Sequence, residues 1–131
     1  MSEIMPEEFW QGVEQFNAGQ FYACHDILEA LWIDSIEPDK TFYQGILQIA
    51  VGLYHLGNRN RRGAMILLGE GSNRLRRYLP SYGDINVEEL FTQSVDLLKT
   101  LQQESLEPTV NSELAENQTW LLPIISLMSE L

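Results

Sequence analysis

The sequence predicts an all-α protein, a compact bundle of about five helices built from two stacked helical hairpins. Three observations carry that prediction. Apolar residues recur at helical spacing almost throughout, and no convincing period-2 run appears. The segments are bounded by residues that start and stop helices. A chain of 131 residues that is 44% hydrophobic fits one domain with a real core.

Each element follows from its own signals. Pro6, Glu7 and Glu8 open a first helix, because proline suits the first turn and carboxylates suit the positive end of the helix dipole. That helix ends near "FNAG", where Asn17 and Gly19 are stop signals. A second helix runs from about Gln20 to Trp32 or Asp34, and "DSIEPDK" is a loop. Asp39 is expected to cap a third helix, about Lys40 to Leu56, closed by "LGN". A fourth runs from about Arg61 to Tyr78 and stops at Pro80, and "PSYGD" is a turn. Asn86 caps a fifth, about Val87 to Glu104, with Glu88 and Glu89 in its first turn. The motif-bearing core is thus about residues 6–80, within a single domain spanning 1–131. The tail, about 105–131, is expected to pack across the bundle as an irregular or short helical piece, since Pro123 interrupts its apolar end. "FNAGQFYACHDILEALW" and "YHLGNRNRRGAMILLGEG" form a faint repeat of aromatic-x-x-Gly followed by a helix, with Gly19 and Gly57 38 residues apart.

Charge and cysteine usage narrow the classes of function. The net charge of -11 argues against general nucleic-acid binding. Six of the eight basic residues are Arg59, Arg61, Arg62, Arg74, Arg76 and Arg77, between acidic flanks. Pairing with those flanks is the plain reading, and a local anion patch is the sharper one. No stretch approaches the ~20 apolar residues of a membrane helix. The acidic N-terminus lacks the basic and apolar regions of a signal peptide. A cytoplasmic protein is expected. Cys24 is the single cysteine, so an internal disulfide is excluded, and its place on an apolar helix face suits a buried, inert thiol.

The polar residues of the buried helices are the candidates for function. On the second helix, His25 sits at the edge of the apolar face beside Trp32, with Glu29 next to it and Asp26 pointing away. The third helix is apolar nearly all round. Gln44, Gln48 and His55 nevertheless fall within about 40° of one another on its wheel. Gly45 and Gly52 beside them permit close approach of a helix or ligand. An unpartnered buried amide or imidazole costs roughly 1–3 kcal/mol. The three must therefore face water, each other or another polar set. The expectation is one cluster of His25, Glu29, Gln44, Gln48 and His55, with Trp32 and Tyr54 as walls and Asn58 and Arg62 at the rim.

These residues resemble a known family. Phe16, Gly19, Phe21, His25, Asp26, Glu29 and Trp32 fit a Phe-x-x-Gly-x-[Tyr/Phe]-x-x-x-His-[Glu/Asp]-x-x-Glu-x-x-Trp pattern. Gln44, Gly45 and Gln48 follow as Gln-Gly-x-x-Gln, then His55, Gly57 and Asn58, with Gly63, Ala64 and Leu67 continuing the match. Over about residues 9–80 the chain is similar to the small all-helical domain-of-unknown-function family 309. The resemblance implies a helical bundle and leaves the chemistry of the cluster open.

Three readings follow. The cluster is a closed hydrogen-bonded core network. Or the protein is a binding or scaffold module, with a groove beside Trp32 and Tyr54 for a protein partner, a small ligand or a second copy. Or it is an enzyme, in which His25, Glu29 and His55 hold a metal or Glu29 acts as a base oriented by His25. His-Glu-x-x-His and phosphate-cradling glycine motifs are lacking, and the sequence leaves any cofactor unknown. The binding or scaffold reading ranks above catalysis.

Overall fold

A computed structural model describes residues 4–106 and 120–128. Among them, five α-helices follow in order: α1 Glu7–Asn17, α2 Phe21–Asp34, α3 Asp39–Gly57, α4 Arg61–Leu75 and α5 Val87–Ser105. A 3-10 turn, Arg76–Tyr78, extends α4. A two-stranded antiparallel hairpin, β1 Ser81–Tyr82 and β2 Ile85–Asn86, fills the expected "PSYGD" turn, with Tyr82 opposite Ile85. Helices pack in chain order, α1 on α2, α2 on α3, α3 on α4 and α4 on α5. That is the expected all-α bundle.

The central helix is α3. Phe42, Tyr43, Ile46, Ile49, Ala50 and Leu53 are buried along it. Its first turn is locked by aromatic rings: Phe42 lies 4.7 Å from Tyr82 and 5.1 Å from Tyr78 between ring centroids. The Tyr78 hydroxyl donates to the Pro38 carbonyl at 2.6 Å, tying the far end of α4 to the start of α3. On its other side α3 meets α4 through glycine. A methyl group at Gly71 would stand 2.7 Å from the Gly45 carbonyl oxygen, so the two backbones touch where side chains would keep them apart.

Two local expectations are corrected and one holds. Asp39 does not cap α3; Glu37 does, accepting from the Thr41 backbone N–H at 3.0 Å and the Thr41 hydroxyl at 2.6 Å. Those bonds, the hydroxyl's first, hold the Glu37 carboxyl below its ordinary value. The faint repeat does not extend to backbone geometry. Gly19 adopts the left-handed φ of +77° that ends a helix, whereas Gly57 is the last residue of α3 and Arg59 takes the left-handed turn. Asn86 caps α5 as expected, accepting from the Glu89 N–H at 3.0 Å.

The tail segment 120–128 is irregular and runs antiparallel to α5. The Trp120 indole donates to Glu104, the Ile124 N–H to Gln93 and the Ser126 hydroxyl to Glu89. It then forms a bridge to β2 through Leu127 and Ile85. The Asn17 side chain clamps Ile125 from the end of α1, donating to its carbonyl and accepting from its N–H, both at 2.8 Å. The rest of the expected tail, 107–119 and 129–131, lies outside the described residues.

Candidate functional site

The polar stripe on α3 faces outward between two neighbours, with α2 along one flank and α4 along the other. Gln44, Gln48 and His55 are all half-buried. The flanks divide them. Gln48 turns to α4, donating to Glu70 at 3.2 Å and accepting from the Arg74 Nε–H at 2.9 Å. His55 turns toward α2. The expected single cluster therefore does not form.

What forms on the α2 side is an aromatic and imidazole cleft. Phe21, Tyr22 and His25 of α2 face Val51, Tyr54 and His55 of α3 across a cavity of about 190 Å³. Tyr22 packs against Tyr54 at 5.4 Å and against His25 at 5.7 Å between ring centroids. His55 stands 6.3 Å from Tyr54, and its Nδ1 is 3.4 Å from the Asn60 side-chain amide. That side chain also caps α4, accepting from the Gly63 N–H at 2.9 Å. Two exposed carboxylates flank His25. Asp26 lies 3.3 Å from Nδ1 and Glu29 3.5 Å from Nε2, the latter too long for a well-made hydrogen bond.

The expected site residues are thus brought together only in part. His25, Tyr54 and His55 share the cleft, and Glu29 reaches it through His25. Trp32 is not a wall. It lies two helical turns from His25, where the Lys40 ammonium sits 5.1 Å above its ring and donates to its carbonyl at 2.8 Å. Asn58 ends α3 through its backbone, and Asn60, not Asn58, touches His55. Arg62 is exposed. Among the described residues no group of three or more His, Cys, Asp or Glu side chains is arranged to hold a metal ion. The expected triad of His25, Glu29 and His55 is therefore not assembled. Phe21, Tyr22 and Val51 were missed as lining. Tyr22 was findable, since it lies three residues before His25 on the same flank of α2.

The arginines do not make one patch. Arg61 pairs with Glu104 at 3.3 Å and sits over Trp120, Arg74 serves Gln48, and Arg76 lies over Phe91. Arg61 and Arg74 stand about 20 Å apart along α4. Cys24 is fully buried, and burial pushes its thiol up to about 12. Two wider depressions, about 410 and 510 Å³, border Met128 at the tail, beside Trp10 and beside Glu88 respectively.

The cleft lies wholly within one matched segment. The family described as Domain of unknown function (DUF309) matches residues 9–67, from α1 into α4. The resemblance to family 309 holds. The chain is also 28% identical over 87 residues to the "Uncharacterized protein YpuF" of Bacillus subtilis (strain 168), covering 65% of this chain and 50% of that protein. The chain spans about half the length of that curated relative. Within the matched segment, Phe21, His25 and His55, which fit the pattern that carries the resemblance, also line the cleft. Trp32 and Gln48 belong to the pattern and serve helix contacts instead. No helix among the described residues is long and apolar enough to cross a membrane.

Proposed function

We propose that this chain is a cytoplasmic binding module whose recognition element is the cleft between α2 and α3. The cleft takes one apolar group, the size of a ring or a single side chain, from a partner. The cavity of about 190 Å³ among Phe21, Tyr22, His25, Val51, Tyr54 and His55 carries this reading. Pockets for whole drug-sized ligands run to ~300–1,000 Å³, so this one suits an anchor. Aromatic walls favour an aromatic or aliphatic guest through edge and face contacts. Burying one such side chain is worth about 1.5–3 kcal/mol. That is less than the roughly 4 kcal/mol of millimolar affinity, so the anchor needs neighbouring contacts to hold a partner.

The test is amide NMR of the full chain titrated with phenol to tens of millimolar and with indole to its solubility limit, the range that roughly 1.5–3 kcal/mol of binding requires. Shifts centred on Phe21, Tyr22, His25, Val51, Tyr54 and His55 are expected. They should be lost in Val51→Phe, which fills the cavity from its half-buried floor. Scattered shifts, or the same shifts in Val51→Phe, would sink the reading.

A further inference from the structure

Helix α2 has a second face. Its inner face buries Cys24 and Leu28. Its outer face carries Tyr22, Asp26, Glu29 and Ile33, at i, i+4, i+7 and i+11. Those spacings place all four within an arc of about 60° and along about 16 Å of helix. Tyr22 is 58% exposed and Ile33 61% exposed. Between them the Asp26 and Glu29 side chains are 63% and 48% exposed. A partner laid along this stripe would cover both exposed apolar side chains and meet the two carboxylates between them. The stripe begins at the cleft, because Tyr22 is a wall of it.

The order of chemistry along the stripe specifies the occupant. We infer that α2 and the adjoining cleft dock a basic amphipathic protein segment: an apolar side chain enters the cleft, a lysine or arginine one helical turn along meets Asp26 and Glu29, and a second apolar side chain covers Ile33. This rests on the proposed role of the cleft as an anchor site. The charge argument is local. No Lys or Arg lies among residues 21–34, so the two carboxylates of the stripe have no cationic neighbour on their own helix. His25 lies against both, 3.3 Å from Asp26 and 3.5 Å from Glu29. A partner's cation therefore meets carboxylates whose solvent-facing sides are open. An acidic segment would meet like charge. Amphipathic segments recognised at i, i+3, i+4 and i+7 spacing are a common peptide-docking mode.

The experiment is selection of a random peptide library, displayed on phage, against the full chain. Kd of the enriched peptides is then measured by fluorescence anisotropy at low and high salt. Three folded variants are compared: the double change Asp26→Lys/Glu29→Lys, the filled cleft Val51→Phe, and Tyr54→Ala, which removes an exposed wall. The expected peptides pair an apolar residue with a lysine or arginine one turn away. Their affinity should fall about tenfold or more in the charge-reversed variant, and in both cleft variants. It should also weaken as salt rises. Peptides without basic residues that lose affinity in the cleft variants but not in the charge-reversed one would overturn the basic partner and leave the anchor role standing. Peptides indifferent to both cleft variants, or a library from which nothing enriches, would overturn both.

Discussion

Replacing Gly71 by alanine tests how closely α3 and α4 approach. The added methyl would lie 2.7 Å from the Gly45 carbonyl oxygen, 2.8 Å from Ile49 Cγ1 and 3.0 Å from the Ile49 nitrogen. Two of these are backbone atoms, which cannot rotate away. Restoring ordinary contact, which begins at 3.4 Å, requires the helices to part by about 0.7 Å along their buried crossing. Overpacking of this kind costs about 1–3 kcal/mol. Alanine returns up to ~1 kcal/mol because it is the better helix former. The net expectation is destabilisation by about 1–2 kcal/mol, a Tm lowered by about 4–8 °C in a chain of this size. Gly69→Ala is the control, two residues earlier on the same helix. Its methyl would meet only Leu98 Cδ2, at an ordinary 3.7 Å, so the propensity gain should stand and stabilise by about 0.5–1 kcal/mol. Urea unfolding of both variants measures the difference. Gly71→Ala as stable as the parent, or the two variants moving alike, would refute the close crossing. The crossing lies on the α4 flank of α3, so folded Gly71→Ala should still bind indole in the cleft on the α2 flank.

Other consequences are equally direct. Asn17→Ala removes both hydrogen bonds to Ile125 and should cost about 1–3 kcal/mol, with faster amide exchange at Ile125 as the local signature. Asn86→Ala removes the α5 cap and should cost about 1 kcal/mol in urea unfolding. Cys24 ionises near 9 when unfolded and only near 12 when folded, so its contribution is whole below pH 9 and is lost as pH rises toward 12. Tyr43, also pushed up to about 12 by burial, adds to the same alkaline loss. At pH 10.5 the cysteine's share is about 2 kcal/mol. Cys24→Ala should therefore show a shallower fall in unfolding free energy between pH 7.5 and 10.5. An equally steep fall would refute the buried thiol as its source.

What the sequence determined by itself was local. Helical spacing set the five helices, because each buries one face whatever lies opposite. Pro6 and Asn86 marked their ends, and Gly45 and Gly52 marked a close approach, because those signals act within one turn. His25 and Glu29 met as four-residue spacing requires. Only the tertiary structure decided which neighbour each flank of a helix would meet. A helical wheel fixes the angle between Gln48 and His55 but not that α4 lies beyond one and α2 beyond the other. The expected single cluster broke on that point. Trp32 was lost to Lys40 for the same reason, since a cation eight residues away, across a loop, is invisible to periodicity. The arginines that crowd the sequence were drawn apart by the 1.5 Å rise of each residue along α4. The tail's run along α5 and its clamp at Asn17 join residues 108 positions apart, a pairing that only packing can choose.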